Sequence, residues 1–289
     1  MSATESFDYD ATYYEGKMSG WTETSFDSIS GKLRTALQRH EYPKNGVALD
    51  YGCGVGVYCP LLLATGLKVV GADISPSALE AARGQPYGGT FLLSDHRVPL
   101  EGGSVSVLFT TEVLEHIEDD QGAVAEFSRL IAPGGLVVLT TTLYFSSINT
   151  YLSTAIIQKH SPVVVLSQIC AYLSGFFSVR RQKAFIKRWC FVPLGGHFHG
   201  FHIRQLRRLL VMNGFEVREL APLFIFKPFG VGRWLDPKFL KTAPFRKRLI
   251  WTVPMLCSEA INFLLKGFKF TANNIFIVAR RRADSSNAR

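Results

Sequence analysis

The chain has 289 residues, of which 47% are apolar and 19% charged, and its formal net charge is +9. That supports a sizeable core, in one large domain or a domain with insertions. The five cysteines (Cys53, Cys59, Cys170, Cys190 and Cys257) are odd in number and lack C-x-x-C spacing, which excludes a disulfide framework and a cysteine zinc site and points to a reducing compartment.

The charge is segregated. Residues 1–140 hold 9 Lys and Arg against 18 Asp and Glu, whereas residues 141–289 hold 23 against 5. A solubility charge would be spread along the chain. A positive second half favours an anionic partner, either a membrane surface or a nucleic acid.

Met1 to Glu15 is polar and acidic, without the apolar core of a secretory leader, so a cytoplasmic location is expected. This arm carries Tyr13 and Tyr14, whose rings would either cover a cationic ligand or pack the arm on the core. Phe26, Ile29, Leu33 and Leu37 recur at helical spacing and predict a helix of about four turns ending before Pro43. From Val47 the chain then reads as a buried parallel strand ending at Asp50 or Tyr51. Gly52, Gly54 and Gly56 follow at alternate positions, and a helix is predicted over Val57 to Ala64. A dinucleotide fingerprint, G-x-G-x-x-G, would need glycine at Val57 or Cys59 and fails. The pattern present is D-x-G-x-G-x-G from Asp50. Its acid would crowd a pyrophosphate but suits a ligand carrying an ammonium group.

Lys68 to Asp73 reads as the second strand. Asp73 lies 21 residues beyond Gly52, where an acid at a strand end can accept both hydroxyls of a ribose. Ser75-Pro76 predicts a capped helix start. Thr90 to Leu93 is a short third strand, followed by Ser94-Asp95-His96, and Val105 to Thr110 is the fourth. Then come T-E-V-L-E-H-I, a helix from about Gln121 to Ile131, a Pro133-Gly134-Gly135 turn and a fifth strand, L-V-V-L-T-T-T. Alternating strands and helices demand a parallel sheet.

These motifs, over residues 47–142, resemble those of the class I S-adenosylmethionine (SAM) methyltransferases: D-x-G-x-G-x-G, the acid of the second strand, and L-E-H-I followed by A-P-G-G-L-V-V-L. The later run from His197 through F-H-I-R-Q-L-R-R-L-L to N-G-F resembles a segment of the ubiquinone-pathway O-methyltransferases. The resemblance implies an α/β, Rossmann-like, seven-stranded, mostly parallel sheet with helices on both faces, two insertions on the substrate side, and a last strand that is antiparallel. It implies SAM as cofactor. Asp50 would serve the methionine end, with the backbone of Gly52, Cys53 and Gly54 along it. Asp73, beside Ile74, would take the ribose and Asp95 the adenine amino group. Thr111 would line the cofactor and Tyr14 would cover it. His197 would face the substrate, with His199 as rival.

The expected organisation is an N-terminal arm and helix (1–42), a SAM-binding domain (43–282) with insertions at 143–197 and 228–272, and a polar tail (283–289). Residues 161–179 are free of charge and long enough to span a bilayer. A single span would split the sheet, because the strands before and after it must pair on one side. A buried lid or an interfacial helical pair with a basic, aromatic rim remains. Ile203 to Met212 reads as an amphipathic helix stopped at Asn213-Gly214, Glu216 to Lys227 as the sixth strand and Asn274 to Arg280 as the last.

Methyl transfer to a hydroxyl needs a base near neutral pKa, which favours histidine: His197, or His116 close to the expected cofactor rim. His197, His199 and His202 lie in a Gly-rich loop without a nearby acid, a poor zinc set. Glu112, Glu115 and His116 would converge on a divalent ion if they shared a helical turn, but read first as a solvated acidic turn, and no metal is assigned. The expected function is methyl transfer from SAM to a small, lipophilic or lipid-linked acceptor, O-methylation favoured, by an enzyme peripheral on an anionic membrane face. DNA is not an expected partner. An RNA methyltransferase is disfavoured because no RNA-binding module, N-P-P-Y tetrad or catalytic cysteine motif is present. A non-catalytic membrane scaffold is disfavoured by the intact glycines and acids.

Overall fold

The structure, a computed structural model, describes residues 23–95, 97–143, 170, 182–184, 198, 200–223 and 274–283. Helix α1 (Glu23–Arg39) buries Ile29, Leu33 and Ala36 on one face, and Phe26 stacks on Tyr58 with ring centroids 5.2 Å apart. The chain then alternates: β1 (Val47–Tyr51), α2 (Cys59–Leu63), β2 (Lys68–Asp73), α3 (Pro76–Arg83), β3 (Thr90–Leu93), β4 (Val105–Thr111), a 3₁₀ turn (Leu114–His116), α4 (Asp120–Leu130) and β5 (Ile131–Thr142). It closes with α5 (Ile203–Met212), β6 (Phe215–Pro222) and β7 (Asn274–Arg281).

Among the described residues the strands form one seven-stranded sheet in the order β3-β2-β1-β4-β5-β7-β6. Neighbours from β3 through β5 are parallel. At the far edge, the Arg282 N–H donates to the Gly214 carbonyl and the Leu223 N–H to the Asn274 carbonyl, so β6 and β7 are antiparallel. Continuous apolar runs in the central strands (Ala48-Leu49, Val107 to Phe109, Leu136 to Leu139) are buried, as strands covered on both faces require. Strand order reverses between β1 and β4. The carboxyl ends there diverge into loops on either side, leaving the crevice where ligands of open α/β sheets bind.

Caps are as the residue types require. The Ser75 hydroxyl accepts from the Ala78 N–H with Pro76 in the first turn of α3, and the Asp119 carboxylate accepts from the Gly122 N–H at α4. Gly214, at φ +80°, stops α5. Three boundaries differ from expectation. Helix α2 starts at Cys59 and has five residues; the glycine loop uses Val55 to Tyr58 for turns, and Pro60 sets the helix start. The Pro133-Gly134-Gly135 turn is a bulge inside β5, which begins at Ile131 and shifts register between Val105 and Val107 of β4. Strand β6 ends at Pro222.

The chain divides into two compact units. One comprises residues 2–141, 203–221 and 276–289 and carries most of the sheet; the other comprises residues 142–202 and 222–275. In the second unit, the Phe201 N–H donates to the Thr142 carbonyl, Leu143 bridges Phe201, and Cys170, the one described residue of the uncharged run, is exposed. The rest of that run, most of both insertions, and the tyrosine arm lie outside the described residues. Among the described residues no helix is long and apolar enough to cross a membrane.

Candidate cofactor site

The loop after β1 is built from three glycines in the left-handed region: Gly52 at φ +74°, Gly54 at +52° and Gly56 at +79°. Only glycine adopts these angles without strain. Gly52 is doubly constrained, because a Cβ there would run into the Val113 side chain from the β4 loop. The Gly52 and Cys53 N–H groups donate to the Ala72 carbonyl at 2.7 and 3.1 Å, and the Tyr87 hydroxyl donates to the Val55 carbonyl at 3.0 Å. The loop is therefore held from below by β2 and from the side by the segment after α3.

Asp73 ends β2 and is buried. Its Oδ2 accepts from the Gly54 N–H at 2.7 Å and its Oδ1 from the Ser75 N–H at 2.9 Å. One carboxylate thus ties the glycine loop to the α3 cap. Asp50 lies beneath the loop at 1% exposure, with the Cys59 thiol 3.9 Å from its Oδ2. Burial, followed by the charge of Asp73, pushes its pKa up to about 7 against the opposing pull of the thiol. Burial likewise pushes the Cys53 and Cys59 thiols up, away from thiolate chemistry. The chemical complement of two buried carboxyl groups is a cation.

Beside Asp73 the surface turns apolar. Ile74 is 51% exposed, and Leu93, opposite Asp73 in the parallel register, is 58% exposed. Both are large exposed aliphatic side chains, one at the end of β3 and one just past the end of β2, against which a planar base can pack. Asp95 is exposed two residues further on. Its charge reaches Tyr51, whose pKa is pushed up to about 12 by burial and then by Glu126, Asp95 and Asp73. The segment after Asp95 is fastened to α4: the Val98 N–H donates to Glu126 Oε1, and Arg129 donates to the Val98 and Leu100 carbonyls while pairing with Glu126 at 2.6 Å.

At the end of β4, Thr140 donates to Glu112 Oε1 at 2.8 Å, so the 2.7 Å contact between the Thr111 and Thr140 hydroxyls is donated by Thr111. Glu112 stands at φ +54°, and Glu115, fully buried, accepts from Thr141 at 2.8 Å. Glu112 precedes a 3₁₀ turn that holds Glu115 and His116, so the three share no helical turn, and the expected solvated acidic turn is corrected at Glu115, which is buried. Among the described residues no group of acidic, histidine or cysteine side chains is placed to hold a metal ion. His116 is half-buried on that turn.

The structure thus brings Asp50, Gly52, Cys53, Gly54, Asp73 and Ile74 together at the switch point, with Asp95 in the bend after β3 on one side and Thr111 at the end of β4 on the other. Tyr14, His197 and His199 lie outside the described residues. Leu93, Tyr87, Val113 and Thr140 were not anticipated. Leu93 had a signal, a third apolar residue closing a strand just before Ser-Asp; the other three depend on contacts between segments far apart in sequence.

A left-handed glycine cradle, a buried acid at a strand end and an apolar platform fit a ligand with a cationic end, a ribose and an adenine. A methyltransferase-domain family profile matches residues 23–220. A ubiquinone biosynthesis O-methyltransferase of Aromatoleum aromaticum is 33% identical over 203 residues, 66% of this chain and 74% of that protein. A malonyl-[acyl-carrier protein] O-methyltransferase of Serratia marcescens is 32% identical over 94 residues, 32% of this chain and only 37% of that protein. A crystal structure of a SAM-dependent methyltransferase from Mesorhizobium loti superposes with a TM-score of 0.50 at 18% identity, covering 88% of this chain and all of that one, which shows a shared fold. Profile, relatives and strand-end geometry agree: the chain belongs to the class I SAM-dependent methyltransferases.

Proposed function

We propose that the protein transfers the methyl group of SAM to an oxygen of a small, lipophilic or lipid-linked acceptor. The observation that carries this reading is the length of the likeness to the Aromatoleum enzyme. At 203 residues it outruns the whole motif stretch 47–142, so it extends into substrate-side sequence. The Serratia match, over 94 residues, is shorter than that stretch.

SAM supplies a methyl carbon already activated for displacement, so the protein's task is to bind, orient and deprotonate. In this reading Asp73 takes the ribose hydroxyls, Ile74 and Leu93 carry the adenine, Asp95 receives its amino group, and the Asp50 carboxylate faces the ammonium end. Tyr14 closes over the cofactor. His197 accepts the acceptor's proton, with His116 as the second candidate. In the same reading the acceptor meets the sequence of the two insertions, 143–197 and 228–272, whose basic and aromatic residues support a peripheral site of action on the inner face of a membrane.

The test is transfer of label from SAM, methyl-labelled, to a panel of prenylated phenols and fatty acyl carboxylates in detergent micelles, with bulk RNA as a control. Label in a base-stable phenol ether supports the reading, and label in RNA overturns it. His197→Ala should then lower kcat by about 10²–10⁴-fold with SAM affinity intact. Full activity moves the proton to His116 or His199.

A further inference from the structure

Helix α5 has two faces of different character. Leu206, Leu209 and Leu210 are buried against the core. Arg204, Arg207, Arg208, Val211 and Met212 recur at i, i+3, i+4, i+7 and i+8 and form one exposed stripe. Val211 is 39% and Met212 64% exposed, at the end of the helix where three arginines precede them. Beyond that end, the Arg282 N–H donates to the Gly214 carbonyl and Arg281 Nη1 to the Asn213 carbonyl at 3.4 Å. Arg281 at the end of β7 and Arg282 just after it thus lie against the turn that stops α5.

The ion pairs of the neighbouring strand and of α4 lie between other residues. Glu216 pairs with Arg218 at 2.8 Å, Glu219 with Arg39 and His40, and Glu126 with Arg129. Among the described residues no ion pair engages Arg204, Arg207 or Arg208. Three exposed guanidinium groups share the stripe with two exposed aliphatic side chains.

We infer that the outer stripe of α5, together with Arg281 and Arg282, docks on an anionic phospholipid bilayer. The guanidinium forks match headgroup phosphates bidentately. Met212 and Val211 enter the boundary between headgroups and acyl chains while the arginine stems lie along it. A polynucleotide would satisfy the charge but offers no place for the aliphatic pair. An acidic protein would need a groove shaped to this stripe, whereas a fluid surface needs none. The inference assigns a docking surface outside the insertions and does not depend on the identity of the methyl acceptor.

The test uses the full chain and co-sedimentation with vesicles of phosphatidylcholine alone or mixed with phosphatidylglycerol. Binding should require phosphatidylglycerol and weaken as salt rises. R204E, R207E and R208E combined should lower vesicle affinity by roughly 100-fold, each arginine near an anionic surface being worth about fivefold. These side chains are exposed, and an unchanged thermal melt shows that the variant is folded. In Met212→Trp, tryptophan emission should shift to the blue on anionic vesicles alone. Four results overturn the inference: no binding to anionic vesicles, equal binding to phosphatidylcholine alone, undiminished binding by the triple variant, or tighter binding to transfer RNA than to vesicles that the same triple variant abolishes. Vesicle binding is read without SAM, so failure of SAM binding would sink the methyltransfer reading and leave this one standing.

Discussion

The carboxyl ends of β1 and β2 and the outer stripe of α5 both concentrate charge, but they hold it in opposite ways. At the strand ends two carboxyl groups are buried, bonded to backbone amides or a thiol, and surrounded by a loop whose glycines allow one shape. On α5 the charges are exposed on flexible stems with no partner acid among the described residues. A buried charge must be matched atom by atom, because the desolvation cost is returned only by a partner in the right place. An exposed charge contributes through its field, adds with its neighbours and is screened by salt. The first arrangement selects a molecule; the second selects a surface.

The largest expected effect comes from Asp50. Its folded pKa of about 7 lies above the model-compound value of 3.8, so between those values the folded protein holds a proton that the unfolded chain has released. Ligand-free stability should therefore fall as pH rises from about 4 to about 7, by on the order of 4 kcal/mol. Asp50→Asn should flatten this dependence in melts across pH and raise stability at pH 8. SAM brings a cation to the site and favours the carboxylate, so affinity by calorimetry should rise with pH and level off above about 7. A pH-independent melt would show the carboxyl to be solvated, and the contrast with α5 would collapse.

Gly52→Val comes next. Left-handed backbone for a branched residue and the clash with Val113 should together cost about 3 kcal/mol and abolish SAM binding. Retained affinity would mean that the loop can reshape. Asp73→Ala removes one acceptor that serves two buried amides and, in our reading, the ribose. A loss of about 1–3 kcal/mol in SAM affinity is expected, and an unchanged Kd would remove Asp73 from the cofactor. Tyr87→Phe deletes a single bond to the loop and should cost about 0.5–1.5 kcal/mol in the melt. Smallest of all is the response of this site to salt. Raising ionic strength should change SAM affinity less than about twofold, while weakening vesicle binding by α5 severalfold. Equal salt sensitivity at both places would erase the distinction.

Local pattern decides much of this molecule, and it is legible without a structure. The apolar runs of β1, β2 and β3 ended where they were read to end, because buried parallel strands are set by short blocks of side chains and stopped by glycine, acid or serine. The Ser75-Pro76 cap and the stop at Gly214 follow from single-residue preferences. The spacing of one acid, three glycines and a second acid marked a nucleotide-type site at one sheet edge, and the resemblance to the SAM methyltransferases named the cofactor. Boundaries governed by competition were not legible. Helix α2 is short because the glycine loop takes residues that the helix pattern claimed, and β5 absorbs a Pro-Gly-Gly turn as a bulge because its pairing with β4 outweighs the local break.

Only tertiary structure decided what the acids do. From sequence, Glu112, Glu115 and His116 could share a helical turn. The threonines of β5 draw the two glutamates apart, and those hydroxyls are more than twenty residues away along the chain. Asp50 and Asp73 carry the same side chain and read alike as strand-end acids. One is sealed under the loop beside a thiol and titrates near neutrality, while the other binds two backbone amides. Which leucine becomes core and which becomes a platform was settled the same way: Leu49 is buried between two strands, and Leu93 is exposed where β3 ends at the sheet edge. Sequence carries periodicity and residue chemistry along one dimension. Burial and pairing are properties of neighbours brought together from elsewhere in the chain.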